Sequence, residues 1–295
     1  MSETKKYPNE TIRVQFERAS CRSFADKKIP KEVMDYILEA GLRAATGGNI
    51  QPYSIIKIED QKAKERLVEL NEGQSFIAEA PVNLLFCIDW HRIERWAALG
   101  AAPFTATSSF RHFWISFQDT IICAQSICTA ADSFGLGSVY VGTVLECFRE
   151  LKDMLELPDG VLPVVLLSMG YRKSALKQRR KLGIEAMVHD EKYHELEDSR
   201  LIELFEDKYP GVRYSATDNS VQSIRKVCRE VGGKKLEDEC LGRIKEKGYI
   251  NQAQRQFGLH YVANEMPQRN DDYLKIMEEY GFKWFKKFVP FKVEE

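Results

Sequence analysis

Two apolar segments and one long apolar helix constrain most strongly what this chain of 295 residues can fold into. Residues 82–89 (VNLLFCID) and 161–169 (VLPVVLLSM) are nearly continuous apolar runs, a pattern typical of strands that are covered on both faces. Between them, residues 117–134 have the length and the apolar content of a buried helix. A shorter strand is predicted at residues 138–144. The pattern predicts an α+β fold with a central sheet flanked by helices.

The composition is that of a soluble globular protein, with 44% hydrophobic and 29% charged residues. A formal net charge of −1 argues against a general binder of nucleic acids or anionic membranes. There is no run of 18 apolar residues and no apolar core of a secretory signal near the start. Seven scattered cysteines without a C-x-x-C pair favour reduced thiols. We therefore expect a cytoplasmic protein with no membrane or nucleic-acid partner. Histidine and cysteine spacing predicts no metal site.

Residues 18–24 (RASCRSF) place two arginines and a serine at alternate positions, Arg18, Ser20 and Arg22. An extended or irregular backbone would point the three side chains the same way. Guanidinium groups bind phosphate through two parallel N–H bonds, so the set suits a phosphate-bearing ligand. Surface arginines at the end of a helix are the alternative interpretation.

A turn of small residues, ATGGNIQP, follows at residues 45–52, about one helix length later. Its two glycines would let the backbone approach a ligand closely. Thr46, Asn49 and Gln51 offer polar groups beside them. Ordinary turn chemistry is the alternative, because Asn and Thr also satisfy local backbone groups. Gln51 has the further alternative of only sealing the fold next to a proline.

These two segments resemble the FMN-binding start of the nitroreductase family, with its Arg-x-Ser-x-Arg motif and its small-small-Asn-x-Gln-Pro turn. Two further blocks agree, AADSFGLGSVYVG at residues 130–142 and LPVVLLSMGY at 162–171. The resemblance extends over about residues 11–200, and four motifs in the right order make it specific. The basic run and the long tail after residue 171 resemble the oxygen-insensitive, NADPH-preferring nitroreductase and flavin-reductase branch.

The resemblance implies a nitroreductase-like mixed central sheet flanked by helices, with a helical C-terminal extension. It also implies a domain-swapped homodimer with two FMN sites at the subunit interface, and NADPH or NADH as co-substrate. The cofactor contacts carried over to this sequence are Arg18, Ser20, Arg22, Thr46, Asn49, Gln51, Gln74, Tyr140, Val141, Gly142, Arg179 and Lys181. Arg18, Ser20 and Arg22 would hold the phosphate, the ribityl chain and the ring edge.

Several of these roles have a plain structural alternative. Gln74 would contact the flavin, or would belong to a loop that caps a helix. Backbone amides at residues 140–142 would approach the flavin N5 and the ring oxygens, with Gly142 leaving room for the ring; otherwise Gly142 simply ends a strand. Arg179 and Lys181 would supply cations for the phosphate or flavin N1, or would belong to a solvated charged face at residues 173–181.

The activity implied is two-electron reduction of nitroaromatics, quinones or flavins by a ping-pong path, in which NAD(P)H gives hydride to FMN and the acceptor then takes its place. No catalytic side chain is expected, because FMN would carry the chemistry. Two alternatives stay open. One is another FMN reaction on the same scaffold, such as reductive dehalogenation or ene reduction. The other is a non-catalytic flavin-binding protein.

The predicted organisation is an FMN-binding domain at residues 1–200 and a helical C-terminal extension at 201–295. The extension is too rich in aromatic residues to be disordered. Within the first domain, residues 90–115 form an excursion rich in Trp and Phe. Its aromatic residues would roof the cofactor site, or would serve only in ordinary helix packing.

Overall fold

A computed structural model describes residues 7–291. The helices are α1 (Glu10–Glu17), α2 (Lys31–Leu42), α3 (Gln61–Leu70), α4 (Phe76–Glu79), α5 (His91–Leu99), α6 (Phe110–Ser133), α7 (Phe148–Met154), α8 (Ile184–Met187), α9 (Asp198–Lys208), α10 (Asp218–Lys247), α11 (Gln252–Arg255) and α12 (Asn270–Glu279). The strands are β1 (Tyr53–Ile58), β2 (Val82–Asp89), β3 (Leu136–Val141) and β4 (Val161–Tyr171).

The four strands form one sheet in the order β1-β2-β4-β3, and each neighbouring pair is antiparallel. The two central positions belong to β2 and β4, the apolar runs of the sequence, whose residues are buried almost throughout. A parallel pairing comes from the isolated bridge between Ser20 and Ser138 at the outer edge of β3. Helix α6 packs against all four strands and α7 against β4, so the predicted α+β class is confirmed.

The main core forms where α2 and α6 cover one face of the sheet. Ile37 of α2 and Ile127 of α6 are fully buried there, together with Phe86 and Leu167 from the central strands. Burying such side chains contributes about 1.5–3 kcal/mol each. This core places α6 beside both segments that the sequence motifs single out.

Helix α6 begins at Phe110, so the predicted start at residue 117 is wrong by two turns. The first two turns of α6 lie inside the predicted excursion. Aromatic residues are only moderate helix formers, and this aromatic-rich stretch therefore gives a weak helical signal. Tertiary contacts stabilise it, because the Phe113 ring lies 5.1 Å from the rings of both Trp284 and Phe285 near the end of the described chain.

Strand β3 spans Leu136–Val141, earlier than the predicted residues 138–144. Gly135, with a φ of +75°, ends the turn after α6, and Leu136 already pairs with Tyr171 of β4. Gly142 therefore lies just beyond the strand, in the loop that follows it.

The chain divides into two compact units. The first contains the residues up to Gln178 and those from Leu274 onward, where the Trp284 indole N–H donates to the Ala106 carbonyl at 2.8 Å. The second, Arg179–Tyr273, is helical, and α10 is broken at Gly233, where φ is +67°. Along the chain, the boundaries between these units follow Gln178 and Tyr273. The predicted division into domains at residue 200 stays a prediction.

Candidate functional site

The segment with Arg18, Ser20 and Arg22 runs along the edge of the sheet. Helix α1 ends at Glu17, and Arg18 has an extended backbone with φ −60° and ψ 132°. Ser20 bridges to Ser138, and the Cys21 amide donates to the Ser138 carbonyl at 2.9 Å. The predicted extended backbone is therefore present, and it holds the three residues beside β3.

Arg18 and Arg22 differ in their surroundings. The Arg18 guanidinium donates through Nε to the Cys128 sulfur at 3.2 Å and lies 5.8 Å from the centre of the Tyr140 ring. Burial opposes its charge, but nearby Cys128 and Asp132 outweigh burial and raise the pKa of Arg18. One terminal nitrogen of Arg18 is buried and has no hydrogen-bond partner among residues 7–291. Arg22 is exposed, 5.9 Å from the Phe76 ring centre. Both arginines therefore keep donor capacity beside β3.

A buried carboxylate supports this group from α6. Asp132 is 6% exposed and accepts from Arg172 at 3.0 Å, and its other oxygen lies 3.8 Å from Arg18 Nε. Burial raises the pKa of Asp132, while the two arginines oppose that shift. Arg172 also donates to the Leu136 carbonyl at 2.9 Å. The pair thus ties the start of β3 to the end of α6.

Gln74 and the loop after β3 are joined by a small hydrogen-bond network. The Gln74 amide donates to the Thr143 hydroxyl at 3.0 Å and to the Asn71 carbonyl at 3.1 Å. Thr143 donates in turn to the Asn71 side chain at 2.8 Å. The predicted residues Gln74 and Gly142 are therefore neighbours, because Thr143 directly follows Gly142.

Gly142 is exposed in a conformation that any residue adopts, with φ −85° and ψ −15°. A Cβ placed on it would meet no atom of the described residues within 4 Å. Neither the backbone nor a neighbouring protein atom therefore requires glycine at this position. Tyr140 and Val141 precede it on β3; Val141 is buried, and the half-buried Tyr140 hydroxyl reaches Gln125 of α6 at 3.4 Å.

The turn at residues 46–51 contains three residues with left-handed backbone and is held by α6. Positive φ angles occur at Gly48 (+59°), Asn49 (+55°) and Gln51 (+54°). Left-handed backbone at a residue other than glycine costs free energy and is retained where surrounding structure holds it. Here the Asp119 carboxylate accepts from the Gly47 amide at 3.0 and 3.1 Å. Burial raises the pKa of Asp119, and the Gly47 amide opposes the shift.

The glycines of this turn serve the protein rather than an approaching ligand. A Cβ on Gly47 would lie 2.6 Å from the Ile115 side chain, so its close approach is to α6. Gly48 accommodates the left-handed backbone. The Thr46 hydroxyl is buried and has no hydrogen-bond partner in the described part of the chain. The Gln51 amide reaches the Leu42 carbonyl at 3.4 Å, and Asn49 is exposed.

Within one chain, the motif residues fall into two groups along α6. The turn is attached at Asp119, whereas Tyr140 and Arg18 meet α6 at Gln125 and Cys128. At 1.5 Å per residue, Gln125 and Cys128 lie roughly 9 and 14 Å from Asp119 along the helix axis. The structure therefore joins Arg18, Ser20 and Tyr140 in one group, links Gln74 to Gly142, and places the turn further along α6.

Arg179 and Lys181 are exposed and lie in the segment without secondary structure that precedes α8. Both belong to the second compact unit, and their predicted contacts with a cofactor stay a prediction.

Sequence reasoning missed the supporting residues Asn71, Asp119, Cys128, Asp132 and Arg172. A signal existed for the two aspartates, because a single acid inside an otherwise apolar helix implies a specific buried partner. Among residues 7–291, no group of three or more His, Cys, Asp or Glu side chains is arranged to hold a metal ion. In the same residues, no helix combines the length and hydropathy needed to cross a membrane.

Comparison with known proteins identifies the family. Residues 16–171 match the nitroreductase family. This chain belongs to the nitroreductase family. The predicted resemblance is therefore confirmed, and the match covers the arginine segment, the turn and all four strands.

Individual relatives agree with this assignment. The chain is 33% identical over 186 residues to an FMN reductase [NAD(P)H] of Bacillus subtilis, which covers 63% of this chain and 75% of that protein. It is 29% identical over 191 residues to an oxygen-insensitive NADPH nitroreductase of Salmonella typhimurium, covering 65% and 78%. Among solved structures, the hypothetical oxidoreductase YcnD from Bacillus subtilis superposes with a TM-score of 0.71 at 27% identity, covering 94% of this chain and 100% of that one.

Proposed function

We propose that this protein is an FMN-dependent NAD(P)H oxidoreductase that reduces nitroaromatics, quinones or flavins in two-electron steps. The relatives named above as FMN reductase and NADPH nitroreductase support the reaction class. Bound FMN would supply hydride transfer, accepting from NAD(P)H and passing two electrons to an acceptor that follows by a ping-pong path. The protein's part is to bind, to orient and to exclude water.

The observation that carries the proposal is the spare donor capacity of the arginine segment along β3, together with the open glycine that follows this strand. Arg18 has a buried terminal nitrogen without a partner, and Arg22 is exposed on the same extended segment. A phosphate dianion accepts several charge-assisted hydrogen bonds and would satisfy both. Ser20, exposed between them, would add a hydroxyl. These residues fit the phosphate and ribityl end of FMN.

The loop after β3 fits the ring end. No contact within the described residues explains why position 142 is a glycine. A planar ring lying against the backbone would explain it. The network from Gln74 through Thr143 would hold the loop rigid, so that its amides are preorganised toward the ring. Tyr140 and Val141 would set the position of the loop on β3. Arg179 and Lys181 would add cations to the phosphate or the ring.

A homodimer completes the proposed site. Helix α6 exposes large apolar side chains at helical spacing, with Phe110 52% exposed, Trp114 57% and Phe117 44%. Patches of this kind mark interfaces, and a second copy of this chain is the occupant we propose. The turn that carries Thr46, Asn49 and Gln51 is attached to the same helix, because its Gly47 amide donates to Asp119. In a dimer across α6, the turn of one subunit would face the arginine segment of the other.

The donor and the location form part of the same proposal. NADPH would be preferred over NADH, because the basic residues 172–181 would attract its additional phosphate. We place the protein in the cytoplasm, since all seven cysteines are free thiols.

Spectroscopy of the purified protein tests the proposal. We expect a yellow protein whose released chromophore has the mass of FMN, and which is bleached by anaerobic NADPH and recoloured by a nitroaromatic or a quinone. A protein that cannot be loaded with FMN would refute the proposal. Loading without bleaching would favour a non-catalytic flavin-binding protein. Bleaching followed by slow recolouring with every nitro compound and quinone would favour another FMN reaction.

A further inference from the structure

Two cysteine thiols come together inside the second compact unit, in a pocket that no predicted cofactor contact lines. Cys228 and Cys240 lie on opposite sides of the break in α10 at Gly233. In an unbroken helix, the spacing from residue 228 to residue 240 would place them about 18 Å apart along the axis. Instead, the two thiols are within reach of a side-chain hydrogen bond, and both pack in the apolar cluster of Ile244. The break therefore folds α10 back on itself, and we call the two cysteines the dithiol pair.

Contacts across the break hold the dithiol pair in place. Arg229, the residue after Cys228, donates to the Glu237 carboxylate on the other arm of α10. Glu237 is 4% exposed. From α11, the Gln254 amide donates to the Cys240 carbonyl at 3.3 Å and lies 3.4 Å from its sulfur. The protein's own contacts therefore preorganise the pair, so a ligand that bridges the two sulfurs need not reorder the chain.

The pocket beside the dithiol pair has a volume of about 360 Å³, within the range of small-molecule sites. Its wall comes from both arms of α10 and from residues 251–263, and is mostly apolar. Val231, Leu236 and Phe257 in this wall are each more than a third exposed. Cys228 is half-buried, whereas Cys240 is 8% exposed, so an entering ligand meets the Cys228 sulfur first. Open apolar surface beside two thiols favours a ligand with an apolar part and a sulfur-binding part.

The chemistry of the pair narrows the sulfur-binding part. Burial, followed by the contact with Cys240, raises the pKa of Cys228 to about 11, so Cys228 is a neutral thiol near pH 7. Oxidation of a cysteine proceeds through its thiolate, which this environment suppresses. Zinc almost always takes four ligands, and in residues 7–291 no three His, Cys, Asp or Glu side chains are grouped to hold a metal ion. Trivalent arsenic with one organic substituent requires only two sulfurs, because its third bond is already occupied.

We propose that Cys228 and Cys240 together bind a trivalent arsenical that carries one organic substituent. Two As–O bonds of the hydrated arsenical break and two As–S bonds form, while each thiol proton leaves with one hydroxyl group as water. Arsenic stays trivalent, so the step requires neither an oxidant nor a reductant. Pyramidal arsenic holds its two sulfurs on the same side, which matches sulfurs that already lie together. The product is uncharged, as apolar surroundings favour, and its organic group would lie beside Phe257.

Two matched arsenicals test this assignment on the reduced full-length protein. Phenylarsine oxide hydrates to a diol and can bind two sulfurs, whereas diphenylarsinous acid has a single hydroxyl and can bind only one. Intact mass spectrometry should show one phenylarsenic group per chain, retained in excess monothiol and released by a dithiol. The diphenyl compound should be lost in monothiol. Bound phenylarsenic should also block alkylation of Cys228 by N-ethylmaleimide, because Cys228 is the half-buried member of the seven cysteines.

Single variants separate two-sulfur binding from attachment to one thiol. Wild type should hold phenylarsenic about 10²- to 10⁴-fold more tightly than Cys228→Ser or Cys240→Ser, the range for joining two binding events. The control is Cys147→Ser in the first unit, where the buried thiol donates to the Val144 carbonyl at 3.7 Å; it should bind like wild type.

If a variant fails to fold, retention by the wild type in monothiol and its release by dithiol still decide. No uptake of phenylarsenic, its release by monothiol, or undiminished retention in either folded pair variant would overturn the proposal. The inference goes beyond the proposed function, and its test needs no bound cofactor. Flavin content, read from absorbance, is measured separately, so the two failures are distinguishable.

Discussion

Replacing Gly142 by alanine should change the stability of the apoprotein and its affinity for FMN in opposite directions. Gly142 has φ −85° and ψ −15°, which alanine adopts without strain, and a new Cβ would meet no atom within 4 Å. Restricting the unfolded chain at such a position stabilises a protein by about 0.4–1 kcal/mol. For a chain of this size, that gain corresponds to a rise in Tm of roughly 1–4 °C.

The same methyl group should weaken FMN binding if the ring lies against this loop. Forcing an additional methyl into a close contact typically costs about 1–3 kcal/mol. The expected loss of affinity is therefore about 5- to 140-fold. The assays are thermal unfolding of the flavin-free protein and fluorescence titration with FMN. Gly142→Ala is compared with Gly242→Ala, a substitution on the exposed side of α10 where a Cβ also meets no atom within 4 Å.

The control should stabilise the apoprotein without changing FMN affinity, because position 242 is far along the chain from the motif residues and carries no proposed cofactor contact. The test is strict because Gly142→Ala is expected to raise apoprotein stability and to lower FMN affinity. A Gly142→Ala variant that binds FMN as tightly as wild type would show that the loop after β3 does not contact the ring. A destabilised apoprotein would show that the space beside Gly142 is filled by the protein itself.

Four further outcomes are expected. Arg22→Ala should weaken FMN retention by about 1.5–3 kcal/mol, as expected for a hydrogen bond to a charged group, with little change in far-UV circular dichroism; unchanged affinity would make Arg22 a surface residue. Trp114→Glu should convert a dimer into monomers in sedimentation equilibrium at micromolar concentration, and a flavin-loaded wild-type monomer would contradict the proposed interface. The Arg180 side chain donates to the Asp207 carbonyl at 3.1 Å. Arg180→Ala should reduce the ratio of specificity constants for NADPH over NADH by roughly 10- to 150-fold. An unchanged ratio would remove Arg180 from donor selection, and equal use of both donors by wild type would refute the preference. Burial lowers the pKa of His112, so the stability this residue contributes is present above its ordinary pKa of about 6.5 and is lost as pH falls below that value. Between pH 7 and pH 5, the free energy of unfolding measured with denaturant should fall more for wild type than for His112→Asn. Equal decreases would contradict this role.

Much of the fold followed from local patterns. The runs at 82–89 and 161–169 are apolar without alternation, and their strand-like length favours strands covered on both faces, so their central position was predictable. Helix Gln61–Leu70 and strand Tyr53–Ile58 also follow from local patterns, because both have clear periodicity and clear ends. The start of α6 was not predictable, since its aromatic first turns depend on rings more than 150 residues later.

The candidate site divides in the same way. Motif order pointed to Arg18, Ser20, Arg22 and the turn, because backbone spacing and residue type are local properties of a sequence. The partners that hold them come from distant positions: Asp119 under the turn and Asp132 beside Arg18. No short-range pattern specifies which buried acid meets which amide or guanidinium.

The amino-acid sequence by itself therefore determined the family, the central strands and the candidate cofactor residues. Only the tertiary structure decided which of those residues keep unpaired hydrogen-bonding groups or open space beside them. Position 47 requires a small residue because the Ile115 side chain lies against it, whereas Gly142 has open space beside it. Packing also leaves the buried indole Nε1 of Trp90 without an acceptor among the described residues. The physical reason is that spare hydrogen-bonding capacity and free volume are properties of an environment, and that environment is assembled from residues far apart in the chain.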